Sequence, residues 1–163
     1  MAGREVYPFN EKLDLRLERV VPVSPEKLWQ GWTQPELLVQ WFCPKPWSVA
    51  RCELDVRPGG IFHTVMRSPE GEEFDEGPGC YLEVVPNRLL VWTSALGPGF
   101  RPAKPGMFAM TGVIEFLPEG SGTRYIATAL HQDEEGRNQH EAMGYEEGWG
   151  KALEQLVELV GQG

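Results

Sequence analysis

Residues Asn138 to Val160, NQHEAMGYEEGWGKALEQLVELV, decide the fold. At about 100° per residue, Ala142, Tyr145, Trp149, Ala152, Leu153, Leu156 and Val160 fall on one stripe. Glu146, Glu147, Lys151, Glu154 and Glu158 lie at or beyond its margins. This periodicity predicts a long amphipathic helix with one face to bury. Gly144, Gly148 and Gly150 sit within it, each costing about 1 kcal/mol relative to alanine. Close approach to a sheet or ligand would compensate, and so would tight packing.

The partner for that face lies upstream. Leu13 to Val21 alternates Leu13, Leu15 and Leu17 with Asp14, Arg16 and Glu18, the period-two pattern of a half-buried strand. Ser24-Pro25-Glu26 then reads as a helix start, with a capping serine, proline in the first turn and an acid at the positive end of the dipole. That helix runs to Trp32. A second short helix, Pro35 to Phe42, opens on the same kind of signal and is stopped by Pro44 and Pro46.

Val49 to Val56, Ile61 to Arg67, Gly79 to Val85, Leu89 to Ser94, Met107 to Leu117 and Thr123 to His131 read as further strands. The turns between them include Arg57-Pro58-Gly59-Gly60, Ser68-Pro69-Glu70-Gly71, Pro86-Asn87 and Pro118-Glu119-Gly120-Ser121-Gly122. Connections this short make antiparallel hairpins. Residues 97–106, rich in Pro and Gly, predict a flexible loop of the kind that covers binding sites. The order predicts an α+β chain: about seven antiparallel strands curved around a long carboxy-terminal helix, with two short helices after strand one.

The 163 residues fit a single domain, 1–163, with its core between 13 and 160. A net charge of -9 argues against nucleic acid and anionic membrane surfaces, which select clustered Lys and Arg. The segment before the first strand lacks an apolar core, which predicts neither signal peptide nor membrane span and a cytoplasmic location. Cys43, Cys52 and Cys80 lie outside any CxxC spacing and read as buried or idle thiols. No metal-ligand cluster, phosphate-cradling loop or nucleophile elbow appears, so no metal, cofactor or catalytic residue is assigned.

Six segments form a pattern in their order and spacing: Ser24-Pro25-Glu26-Lys27-Leu28-Trp29, Pro35-Glu36-Leu37-Leu38 with Trp41, Arg57-Pro58-Gly59-Gly60, Glu83 to Leu89, Gly122-Thr123-Arg124, and Gly148-Trp149 with Leu153 and Leu156. Together they resemble a known family, that of the activator of the ninety-kilodalton heat-shock-protein ATPase, within the START-like or SRPBCC (birch-pollen-allergen-like) superfamily. The resemblance implies a helix-grip fold with a pocket between sheet and last helix. Many relatives use that pocket for hydrophobic molecules. It departs from the cochaperone in that only residues 1–12 precede the first strand here. The cochaperone's larger amino-terminal domain has no counterpart in this sequence, and its activity is not carried over.

Turning charged residues outward sends Phe62, Thr64 and Met66, then Cys80, Leu82 and Val84, then Phe108, Met110 and Ile114 towards the helix. With His131, Tyr145, Trp149 and Leu153 these are the expected pocket lining. Apolar strand faces look the same whether they line a cavity or close it. A dry void of roughly 300 Å³ would cost about 7 kcal/mol, comparable to a domain's whole stability, so such a pocket should be filled. Among the imidazoles, alternation sends His63 outward and His131 inward near a strand end, as a polar group at the pocket mouth.

The expected function is binding of a small hydrophobic molecule, in a carrier, sensor or sequestration role. A START-like enzyme of cyclase or hydrolase type is the first alternative, weighed down by the scarcity of inward acids and bases. A chaperone ATPase partner is the second. Exposed aromatics and a free sheet edge are compatible with a homodimer.

Overall fold

The computed structural model describes residues 7–161 except 105 and 107. Alternating and turn-bounded segments pair into one curled antiparallel sheet. Its strands are β1 (Asp14–Val21), β2 (Ser48–Leu54), β3 (Ile61–Arg67), β4 (Glu73–Phe74), β5 (Gly79–Val85), β6 (Leu89–Thr93), β9 (Met110–Glu119) and β10 (Gly122–His131). The order across the sheet is β1-β10-β9-β6-β5-β3-β2, with β4 paired to β3. Helices α1 (Pro25–Thr33) and α2 (Pro35–Leu38) follow β1, and α3 (Glu134–Ala142) and α4 (Tyr145–Gly161) follow β10.

Local chemistry accounts for the boundaries. Ser24 Oγ accepts from the Lys27 amide at 3.3 Å and Pro25 opens α1. The turn between β5 and β6 places Asn87 at φ 63, a left-handed conformation that asparagine tolerates. The predicted final helix is two helices, because Gly144 stands between them at φ 89. Asp133 caps α3 by accepting from the Gly136 amide at 2.9 Å. Neither Gly148 nor Gly150 of α4 marks a close approach: a Cβ on Gly148 would meet only Pro44 Cγ at 3.9 Å, and one on Gly150 would meet nothing among the described residues within 4 Å.

The proline- and glycine-rich stretch contains regular structure that its composition concealed. Leu96–Gly97 (β7) and Arg101–Pro102 (β8) pair around a 3-10 turn, Pro98–Phe100. The expected strand start at Met107 falls on a residue outside the described set, and the strand begins at Met110.

The inner face of the sheet packs against α1, α2 and α4. Leu15, Leu17, Leu90, Ile114, Phe116, Tyr125 and Ala127 from the strands join Leu28, Trp32, Leu38, Leu153 and Leu156 in one buried cluster. The helices meet at Gly31, where a Cβ would collide with Leu156 Cδ1. Gln155 ties α4 to the segment after α2, donating to the Trp41 and Cys43 carbonyls at 3.0 and 2.9 Å and accepting from the Lys45 amide at 3.0 Å. The outer face is not simply solvated, as expected of an antiparallel sheet. Leu89, Val91 and Val113 are buried there beneath Tyr7, Leu82 and Leu130.

Candidate functional site

The face of the sheet turned to α4 carries a continuous run of aromatic rings. Tyr81 meets Phe62 at 5.5 Å between ring centroids, Phe62 meets Trp92 at 4.9 Å, and Trp92 meets Trp149 of α4 at 6.4 Å with near-parallel planes. Trp149 continues to Tyr145 at 4.6 Å and His140 at 6.0 Å. Phe42 closes one side against Phe62 and Trp32. Edge-to-face and tilted geometries dominate, as the ring quadrupoles prefer.

The expected lining residues divide on this frame. Phe62 and Leu153 are buried in the main cluster, and Val84, Met110 and Trp149 pack half-buried against it. Thr64 is half-buried opposite Cys52. Tyr145 is buried and its hydroxyl donates to the Ala127 carbonyl at 2.8 Å. Phe108 lies half-buried against the rings of His131 and His140.

Three of the residues expected to turn towards the helix are placed otherwise. A register shift between Tyr81 and Glu83 makes a bulge in β5, so Leu82 and Glu83 lie on the same outer side. Cys80 and Leu82 therefore face away from α4, Tyr81 faces it, and Val84 regains the inner side. Met66 is 38% exposed near the end of β3, opposite Phe74 of β4. His63 lies outward as anticipated and bonds Asp75 Oδ1 through Nε2 at 2.8 Å.

Two polar groups stand out in this apolar frame. Tyr81 is fully buried and its hydroxyl has no hydrogen-bond partner among the described residues. Burial, with the nearby Cys52 and Asp55, pushes its ionisation well above the usual tyrosine range, so the group is a neutral O–H. His131 is buried with Nδ1 at 2.8 Å from the Leu13 carbonyl and Nε2 at 2.9 Å from His140 Nδ1. Burial lowers the pKa of both imidazoles, that of His140 to about 4, so both are neutral near pH 7.

Tyr81 and His140 were not picked out by sequence reasoning. The bulge that turns Tyr81 inward has no compositional mark, and His140 acquires its partner only when α3 folds back onto β10. The pairing of Trp92 with Gly112 across β6 and β9 was visible in principle as an aromatic opposite a strand glycine.

Burial pushes the Cys43 thiol up to about 11 and raises Cys52 as well, which leaves little thiolate for nucleophilic or ligand chemistry. Among the described residues, no group of three or more His, Cys, Asp and Glu side chains is placed to hold a metal ion. No helix among them is long and apolar enough to cross a membrane.

Two surface clefts lie elsewhere. One of about 430 Å³ is lined by Ser24, Glu26, Asn87, Arg88 and Ser121 among others, and one of about 360 Å³ by Glu11, Lys12, Glu134, Arg137 and Asn138. Neither includes any of the expected lining residues.

Comparison with known proteins fits this architecture. Residues 22–161 match the model of the family described as Activator of Hsp90 ATPase homolog 1-like protein. The crystal structure of protein NE0264 from Nitrosomonas europaea is 50% identical, with a TM-score of 0.90 over 94% of this chain and 97% of that one. A protein from Arthrobacter aurescens solved by NMR is 20% identical (TM-score 0.78; 94% and 88% covered), and one from Rhodobacter sphaeroides is 21% identical (0.78; 95% of each). These two show the shared fold. No curated protein matched the chain.

Proposed function

Because this chain belongs to the family of Activator of Hsp90 ATPase homolog 1-like proteins, whose fold sets a curled sheet against a last helix, we propose that it binds a small hydrophobic molecule between the inner face and α4. The role is that of a carrier, sensor or sequestering protein. The observation that carries this reading is the Tyr81 hydroxyl. A buried polar group without a partner costs about 1–3 kcal/mol, and native proteins rarely keep one without a reason. A guest with an acceptor atom would recover that cost while its apolar body lies on Phe62, Trp92 and Trp149. Sites for small molecules have this make-up, mostly aromatic with a few placed polar groups.

A carrier of this kind retains its cargo through gentle purification. Native mass spectrometry of the protein from its source is expected to show a bound species of small-molecule mass that organic solvent removes. A thermal-shift screen of hydrophobic compounds should raise the midpoint for some of them. Protein of bare mass, with no compound raising its midpoint, would reject the reading.

A further inference from the structure

The geometry points to the polar end of this site: we propose that His131 and His140 form a tautomer-locked pair whose outer nitrogen, His140 Nε2, accepts a hydrogen bond from a neutral hydroxyl or N–H group of the bound molecule. This rests on the ligand-binding reading above and adds the class of ligand to it.

The tautomers follow from the partners. His131 Nδ1 lies 2.8 Å from the Leu13 carbonyl oxygen, which only accepts, so the single proton of the neutral ring sits on Nδ1. His131 Nε2 then carries a lone pair, and His140 Nδ1, 2.9 Å away, donates to it. The one proton of His140 is thereby used, and its Nε2 is left as an acceptor. The His140 side chain forms no other hydrogen bond among the described residues.

Protonation does not overturn this assignment near neutrality. His131 and His140 are 8% and 9% exposed, and two cations side by side at that burial would be costly. Of the charges that act on His131, Asp14 and Asp133 favour its protonation and Arg137 opposes it, and burial outweighs them.

The surroundings select the rest of the ligand. The rings of Phe108, Tyr145 and Trp149 lie 4.9, 5.0 and 6.0 Å from that of His140. The Tyr145 hydroxyl is already committed to the Ala127 carbonyl. An acceptor nitrogen framed by aromatic surface fits an apolar, ring-bearing molecule with a donor, of the phenol or aryl-amine class. A carboxylate would bring lone pairs against a lone pair, in a chain of net charge -9.

Matched probes test this on the full chain. 2-Naphthol and 2-methoxynaphthalene share a ring system, but only the first has a donor. With ¹⁵N-labelled protein at pH 7, long-range proton–nitrogen spectra should show both imidazoles protonated at Nδ1. 2-Naphthol should bind about tenfold tighter, the equivalent of one hydrogen bond, and shift the His140 Nε2 resonance, while the methoxy compound leaves it in place. His140→Asn keeps a donor towards His131 and removes Nε2, and should bring the affinity ratio close to one. If that variant fails to fold, the wild-type resonances decide alone.

An Nε2-protonated His140 overturns the inference before any ligand is added. Equal binding of both probes with Nε2 unmoved overturns it while leaving the hydrophobic-ligand reading intact. Failure of both probes to bind counts against both.

Discussion

Trp92 on β6 lies directly opposite Gly112 on β9, and its six-membered ring fills the space that a Cβ at position 112 would take. The glycine lets the indole lie down on the sheet, in the middle of the run of rings between Tyr81 and His140. Gly112→Ala would push that ring off its seat. Overpacking a buried contact of this kind costs about 1–3 kcal/mol, so urea denaturation should show a lower midpoint with an unchanged slope. A midpoint equal to wild type would mean that Trp92 has room to move.

Tyr81→Phe separates binding from stability. Removing a buried hydroxyl without a partner should leave the ligand-free protein as stable or raise it by about 1 kcal/mol. The same change should weaken binding of an acceptor-bearing ligand. Calorimetric unfolding with and without ligand checks both signs, and a clear loss of stability in the free variant would show that the hydroxyl has a partner after all.

Gly31→Ala tests the crossing of α1 over α4. The added methyl would meet Leu156, which is fully buried and has little freedom to yield. A loss of about 1–3 kcal/mol is expected by the same overpacking argument, despite alanine's better helix propensity. Chemical denaturation of the two proteins side by side measures it. A gain in stability would mean that the helices separate easily.

The histidine pair sets a pH dependence. His140 has a pKa of about 4 in the folded chain, below the ordinary 6.5, so the unfolded chain binds the extra proton between those values. Stability is then full above pH 6.5 and falls as the pH drops towards 4, by roughly 3 kcal/mol for this group alone. His131, also lowered, acts in the same direction. His140→Asn cannot titrate at that position, so its stability curve should be flatter over this range. Parallel curves for the two proteins would remove the burial argument.

Much of this was legible in the residues. β3 and β5 begin and end where alternation and turn residues placed them, and Ser24 with Pro25 marks the start of α1. Long-range effects were less visible. Gly144 reads as a tolerated helix glycine until the chain is seen to turn there, and Leu82 reads as inward until a bulge shifts the register. His131 was legible as an inward polar group because strand alternation carries to its position. Its partner His140 was not, since their contact depends on how α3 returns to β10.

The indole N–H resonances serve as position markers for a ligand between the sheet and α4. Trp92 and Trp149 lie on the inner face and α4, whereas Trp47 sits 38% exposed against Phe74, away from them. Titration with 2-naphthol should move the Trp92 and Trp149 signals saturably and leave Trp47 in place. Movement of Trp47 alone, or of none of the three, would contradict a binding site between the sheet and α4.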